Sequence, residues 1–146
     1  MIEIEQLREV TEENVLELNE LMRQLRKDHT VETSQASLAQ LQEMVADKNT
    51  ILIVAKDGQR IVGMALLVII LKIGKSIGSV EDVVVHEEYR GQGLGEKIMK
   101  EVIAVAKARK LLTLGLTSRP IRVAGNKLYQ KLGFTIKETN VYRLKL

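Results

Sequence analysis

The sequence predicts an α/β domain in which a mixed, mostly antiparallel sheet is flanked by about four helices. Three observations predict it: β-rich apolar runs separated by glycine turns, four segments with apolar residues at helical spacing, and the order of both along the chain. The predicted order is strand, two helices, three strands, helix, strand, helix and two final strands. With 146 residues, the chain fits a single domain covering 1–146.

The first third of the chain predicts one strand and two helices. Residues 2–8 begin with isoleucine and glutamate in alternation, which is typical of a half-buried strand. Thr11 is the expected N-cap of the first helix, and acidic residues follow it where the helix end is positive. Ser34 is the expected cap of the second helix, whose apolar residues recur at helical spacing as far as Val45.

The middle of the chain predicts an antiparallel meander. Its strands are expected at 51–55, 60–72 and 77–85, with glycine-containing turns at 56–58 and 74–75. The long central strand contains the apolar run 61–71, which is typical of a buried strand.

The last third predicts a helix over 94–109, a short strand over 111–116 and a final helix over 121–132. Gly133 is expected to end this helix in the left-handed conformation, with Phe next to it supplying an apolar contact. We expect the remaining tail to form two more strands that turn near residues 139–140.

Composition excludes several classes of site. The chain has no cysteine, so disulfides, thiolate zinc sites and cysteine nucleophiles are ruled out, and a reducing cytoplasm is expected. The net charge of +3 comes from scattered basic residues, which argues against nucleic-acid binding. The longest apolar run, 61–71, contains a glycine and is shorter than the ~20 residues that span a bilayer, so no membrane segment is expected. We expect no metal.

A glycine-rich turn between a predicted strand and a predicted helix is the strongest candidate for a binding site. Such a turn presents free backbone N–H groups and the positive end of a helix to an anion. Glycine permits positive φ and removes the Cβ atoms that would keep a phosphate away. The turn reads Arg90-Gly91-Gln92-Gly93-Leu94-Gly95.

Spacing separates the chemistries that use such turns. A nucleoside-triphosphate loop needs GxxxxGK followed by Ser or Thr, which is absent from the turn. A dinucleotide fold needs an acidic residue about 20 positions later, and 111–120 contains none. What remains is the pattern [Q/R]-x-x-G-x-[G/A], which is matched by Arg90, Gly93 and Gly95.

Two segments, SVEDVVVHEEYRGQGLGEKIMKEV and GNKLYQKLGF, resemble the GNAT superfamily of acetyl-CoA-dependent N-acetyltransferases. The resemblance extends over essentially the whole chain. The stretches 81–83 and 126–129 are similar to the glucosamine-6-phosphate N-acetyltransferase branch, whereas the loop between Leu116 and Asn126 is longer than in that branch. The resemblance therefore implies the GNAT fold, acetyl-CoA as cosubstrate and a primary amine as acceptor. The resemblance does not imply that the acceptor is the amino sugar used by that branch.

The resemblance also implies roles for individual residues. The backbone of 90–95 would bind the cofactor pyrophosphate, and Asn126 would bind pantetheine or phosphate. Tyr129 would give a proton to the departing thiolate or steady it. The strand that splays in this family would bind the pantetheine arm through its backbone at Val83, Val84 and Val85.

The base that deprotonates the acceptor amine stays open. An alkyl amine has a pKa near ~10.4, so less than about one molecule in a thousand is nucleophilic at neutral pH without help. Glu81 and Asp82 interrupt an apolar strand, and neighbours on a strand face opposite sides of the sheet. We prefer Glu81 because relatives often carry a carboxylate there. Asp82, a surface-lying His86 and water are the alternatives.

The sequence leaves the acceptor unidentified. In this family the acceptor site is shaped by the early helices, by 26–37 and by 117–122. The resemblance also implies a homodimer formed through a sheet edge as a possible partner arrangement. A GNAT-like module that binds CoA without catalysis is the alternative to the enzyme.

Overall fold

The computed structural model describes residues 1–26 and 35–146. These residues form a five-stranded sheet in the order β1-β2-β3-β4-β5. The first four strands are antiparallel neighbours, and the last lies parallel to β4. The strands are β1 (Ile2–Gln6), β2 (Thr50–Asp57), β3 (Arg60–Lys72), β4 (Lys75–Val85) and β5 (Leu114–Gly115). The predicted mixed sheet and its meander are confirmed.

Four helices cover the two faces of the sheet. The buried residues of the first two pack on one face, and those of the third pack on the other, where the partly buried residues of the fourth join them. They are α1 (Glu12–Leu25), α2 (Leu38–Ala46), α3 (Leu94–Ala108) and α4 (Val123–Lys131). We call these the α1–α2 face and the α3 face.

Helix caps follow local sequence, with one correction. Thr11 caps α1 as predicted, and Asn14 completes a reciprocal capping box with it. The predicted cap of the second helix, Ser34, lies outside the described residues. Ser37 caps α2 instead, because its Oγ accepts a hydrogen bond from the backbone N–H of Gln40 at 3.1 Å.

The core is aliphatic, as the near absence of aromatic residues requires. Ile53 and Leu67 of the sheet and Ile98 of α3 are fully buried on the α3 face. Gly63 lets α3 pack closely on β3, since a Cβ at this position would lie 2.8 Å from Ile98 Cδ1. Burial of each such side chain stabilises the fold by roughly 1.5–3 kcal/mol.

The predicted strands in the tail are wrong. No regular strand is assigned between Phe134 and Leu146, and most of these side chains are exposed, including Ile136 at 88% and Tyr142 at 87%. Alternation of apolar and polar residues indicates only that a segment could bury one face if it formed a strand. It carries no information about whether a sheet edge accepts the segment. The predicted end of α4 is correct, because Gly133 has φ 97° and the N–H of Phe134 bonds the Tyr129 carbonyl at 3.0 Å.

Within the described ranges, no helix combines the length and apolar character that crossing a bilayer requires. The same residues contain no cluster of three acidic or histidine side chains that would hold a metal ion.

Candidate active site

A β-bulge in β4 determines which of the two adjacent carboxylates points into a cavity. Leu66 pairs with Glu81 and Met64 pairs with Val84, so two residues of β4 lie opposite one residue of β3. Asp82 is at this bulge with φ 51°, a left-handed conformation that a non-glycine residue seldom adopts. Strained backbone of this kind is often found at functional sites.

The bulge changes the face on which the following side chains lie. Val80 packs on the α3 face, and strict alternation would place residue 82 there too. The extra residue reverses this parity, so Val84 packs on the α1–α2 face and Asp82 lines a cavity beneath the same two helices. Burial raises the pKa of the Asp82 carboxyl above its usual range; the charge of Arg26 opposes this shift and that of Glu81 adds to it.

The cavity measures about 430 Å³ and lies between α1, α2 and the sheet. Its volume is in the range of small-molecule sites. Apolar side chains from both helices and from β2 and β3 form half of the described wall. Asp82 and Arg26 are the charged residues among the described lining.

The other two candidates for the base lie elsewhere. Glu81 is exposed, and its Oε1 accepts a hydrogen bond from the Ser79 hydroxyl at 2.8 Å. His86 is 7% exposed rather than on the surface, which corrects the expectation from sequence. It caps the 3₁₀ turn Glu87–Tyr89, because its Nδ1 accepts from the Glu88 N–H at 3.2 Å. Neither residue lines the cavity.

The glycine turn after β4 leaves the N-terminus of α3 without a side-chain cap. Gly91 has φ 76° and Gly93 has φ 79°, and Gly93 is the N-cap of the helix. With no side chain at this position, the first N–H groups of α3 lack the hydrogen bond that Ser, Thr or Asp would provide. A Cβ at either glycine would point into open space, so both positions leave room for a ligand. This geometry suits a diphosphate.

Contacts with neighbouring elements hold this turn in place. The Arg90 side chain donates from Nε to the Val85 carbonyl at 3.0 Å. The Tyr89 hydroxyl donates to Asp57 Oδ2 at 2.6 Å, which joins the turn to the end of β2. Gln92 and Leu94 complete the predicted stretch, and Leu94 is buried in the core on the α3 face. The predicted binding turn is therefore anchored on both sides.

The sheet opens on the side of β4 that faces β5. Their ladder contains only the pairs Gly78–Leu114 and Ser79–Gly115. The following β4 residues are paired with β3 on their other edge as far as Val85. The side chains of Val83 and Val85 pack on the α3 face, and that of Val84 on the opposite one. The β5-facing backbone edge of this segment thus has no ladder partner among the described strands, and the 3₁₀ turn Glu87–Tyr89 connects the segment to the glycine turn.

α4 brings Tyr129 to the same face as α3. A Cβ on Gly95 would lie 3.4 Å from Leu128 Cδ2, so the lack of a side chain lets α4 approach the start of α3. Tyr129 is half-buried and its ring lies 6.0 Å, edge to face, from that of Phe134. Burial raises the pKa of the Tyr129 hydroxyl, although the charge of Arg122 works against the shift. The phenol therefore keeps its proton at neutral pH.

Asn126 is engaged within the chain. Its Nδ2 donates to the carbonyls of Arg119 and Arg122, both at 2.9 Å, and so secures the loop before α4. Both N–H donors of the amide are used in these bonds, and its Oδ1 is an acceptor. That chemistry suits an amide N–H of pantetheine better than a phosphate.

The chain as a whole is similar to known acetyltransferases. Residues 18–134 match the family model of the acetyltransferase (GNAT) family. The chain belongs to this family. A glucosamine 6-phosphate N-acetyltransferase of Trypanosoma brucei brucei is 35% identical over 82 residues, which cover 54% of this chain and 54% of that protein. The match thus spans about half of the relative's length.

Solved structures of acetyltransferases match the chain over nearly its whole length. A crystal structure of a Trypanosoma brucei acetyltransferase has a TM-score of 0.78 and 28% identity, and 100% of both chains is covered. An aminoglycoside acetyltransferase from an uncultured soil metagenomic sample, in complex with trehalose, has a TM-score of 0.84 at 17% identity, covering 99% of this chain and 95% of that one. The second comparison shows the fold alone. GNAT membership implies acetyl-CoA as cosubstrate.

Sequence reasoning missed the cavity and most of its wall. Met22, Met44 and Met64 line it from α1, α2 and β3. In the sequence they appear only as apolar positions of three separate elements, and nothing in their spacing distinguishes them from core residues. Arg26 falls within the segment that the family resemblance assigned to acceptor binding, and it does line the cavity.

Proposed function

We propose that this chain transfers the acetyl group of acetyl-CoA to a primary amine within one domain covering 1–146. One observation carries the proposal: the β4 edge that β5 leaves unpaired beyond Ser79 is followed, after the 3₁₀ turn Glu87–Tyr89, by the uncapped N-terminus of α3, where Gly93 is the N-cap. A ligand with an amide-containing arm and a diphosphate fits such a path. Bound there, acetyl-CoA supplies an acetyl group activated as a thioester.

Backbone groups would hold most of the cosubstrate. The N–H groups of the turn 90–95 and the positive end of α3 suit the diphosphate, and the guanidinium of Arg90 adds a positive charge beside them. The backbone of 83–85 would bond the pantetheine arm in the manner of an added strand. Asn126 Oδ1 would accept from one of its amides. Side chains matter little for this recognition.

Asp82 is the residue we propose as general base, in place of the Glu81 that the sequence favoured. Its carboxylate faces the cavity, where an acceptor amine would bind, while Glu81 is exposed and bonded to Ser79. Asp82 would take the proton of the acceptor ammonium, directly or through water. A raised pKa makes the carboxylate a stronger base, which favours this proton transfer.

Tyr129 is the residue we propose as proton donor. As the amine nitrogen bonds to the acetyl carbon and the C–S bond breaks, its hydroxyl would give its proton to the thiolate sulfur. The proton that the nitrogen loses on becoming an amide would return to the phenolate through solvent. Tyr129 packs on the α3 face and Asp82 lies on the α1–α2 face, with the edge of β4 between them. Base and acid would therefore act from opposite sides of that edge.

Calorimetry and thiol release test the proposal together. Acetyl-CoA is titrated into the protein, and a panel of primary amines is then screened for release of free thiol. Saturable binding and turnover with at least one amine are expected. Absence of binding at millimolar acetyl-CoA would refute the proposal. Binding without turnover on any amine would favour a non-catalytic CoA-binding module instead.

A further inference from the structure

We infer that the acceptor is a small primary amine with an alkyl or arylalkyl body and no phosphate. The inference rests on the proposed function, because it takes the cavity beside Asp82 as the acceptor site. It names the substrate class that the wall of this cavity would recognise.

The wall offers more hydrocarbon than polar contact, and its other described residues are Asn19, Arg26, Gln35, Ser37, Gln40 and Asp82. Aliphatic side chains converge on it from two helices and two strands, so an apolar ligand body would be contacted from several sides. Methionine contributes several of them, and its flexible thioether adapts to alkyl and aromatic groups alike. Six of these side chains are Met22, Leu41, Met44, Leu52, Met64 and Leu66.

Two of the polar groups on the wall are already occupied. Asn19 donates to the Ala36 carbonyl at 3.0 Å and accepts from its N–H at 2.9 Å, which ties α1 to the segment before α2. Ser37 Oγ accepts from the Gln40 N–H in the cap of α2. These groups shape the wall, and their bonds within the chain compete with those a polyhydroxylated acceptor would need.

Charge favours an ammonium and disfavours a phosphate. The carboxylate of Asp82 would attract the ammonium of the acceptor, and the bulge turns it toward the apolar wall beside Met64 and Leu66. A phosphate dianion would be repelled by the same carboxylate. Arg26 is the one cation among the described lining residues, so it alone would compensate there.

The decisive experiment is a homologous series of n-alkylamines from propylamine to hexylamine, assayed by thiol release at saturating acetyl-CoA. Each added CH₂ that enters the apolar wall is expected to raise kcat/KM about fourfold. Ethanolamine and glucosamine 6-phosphate are expected to react more slowly than propylamine. A flat or falling series, or a preference for glucosamine 6-phosphate, would overturn the inference.

A pair of variants connects the trend to the cavity. Met44→Gln keeps the length of the side chain but makes the wall more polar, so the gain per CH₂ is expected to fall toward twofold. Leu16→Gln is the matched control, since Leu16 is on α1 but 73% exposed and not part of the wall. An unchanged gain in Met44→Gln would contradict the assignment of this cavity, and the wild-type series still tests the substrate class if the variant does not fold.

Failure of this inference can be distinguished from failure of the proposed function. If acetyl-CoA binds and another amine class reacts, the acceptor class is wrong but the acetyltransferase stands. If acetyl-CoA does not bind, both fall.

Discussion

The glycine turn at the start of α3 and the cavity beneath α1 and α2 differ in how each would recognise the ligand that we propose for it. In the turn, backbone N–H groups are presented by Gly91 and Gly93, and few side chains take part. In the cavity, side chains from two helices and three strands contribute to the wall, and one carboxylate would provide the chemistry. The first region consists of consecutive residues, whereas the second exists only after distant segments have packed together.

The difference between the turn and the cavity indicates which kinds of site can be predicted from a single sequence. Recognition of a ligand by backbone groups requires a particular local conformation, and glycines at fixed spacing predict that conformation. Side-chain recognition needs the relative positions of several elements, which no local pattern contains. Variants in each region test whether the turn and the cavity can be perturbed separately.

Replacement of the cavity carboxylate should have the largest effect. Asp82→Asn removes the proposed base and is expected to lower kcat/KM by roughly 100- to 10,000-fold with little change in acetyl-CoA binding. Because burial raises the pKa of Asp82, the wild-type lower limb of the pH profile should lie above the usual ~3.9 and disappear in the variant.

Glu81→Gln is the matched control for this change. Glu81 is the adjacent carboxylate, but it is exposed, so its loss should alter kcat/KM by less than about threefold. A large loss in Glu81→Gln with a normal Asp82→Asn would return the role of base to the residue that the sequence favoured.

Loss of the phenol should have an intermediate effect. Tyr129→Phe keeps the ring packing with Phe134 but removes the proton donor. A thiolate with a pKa near ~8.5 leaves fairly well without help, so kcat should fall by only roughly 10- to 100-fold. Steady-state kinetics and calorimetry should show kcat reduced while the Kd of acetyl-CoA is unchanged. Full activity in this variant would contradict the role.

A methyl group in the glycine turn should have the smallest effect on turnover but the clearest effect on binding. Gly93→Ala forces a Cβ at φ 79° and places it beside the helix end. The strain should cost about 1 kcal/mol of folding stability, and the Kd of acetyl-CoA should rise about three- to tenfold. Saturating acetyl-CoA should restore most of kcat.

Gly74→Ala separates strain from binding. Gly74 has φ 75° and open space around it, as Gly93 does, but it lies in the hairpin between β3 and β4. Thermal denaturation should show similar destabilisation in the two variants, and calorimetry should show weaker acetyl-CoA binding only in Gly93→Ala. Equal binding in both would argue that the turn does not contact the cosubstrate.

Features that depend only on residues adjacent in the chain could be predicted from the sequence. Thr11 capping α1, the hairpin turns of the meander and the left-handed Gly133 all follow from short-range hydrogen bonds and φ preferences. The strand-turn-helix unit around Gly93 belongs to the same class. Such interactions are complete within a few residues, so composition and spacing reveal them.

Features that depend on which distant segment packs against a strand or loop could be identified only from the tertiary structure. The bulge in β4 exists only relative to its pairing with β3. Because of it Asp82 lines the cavity, whereas strict alternation would place this residue on the α3 face. The burial of His86 and the absence of strands in the tail likewise depend on neighbours far away in the chain. The face on which a strand residue lies, its burial and its sheet pairing all depend on the segment packed against it. The sequence of one segment alone therefore does not determine them.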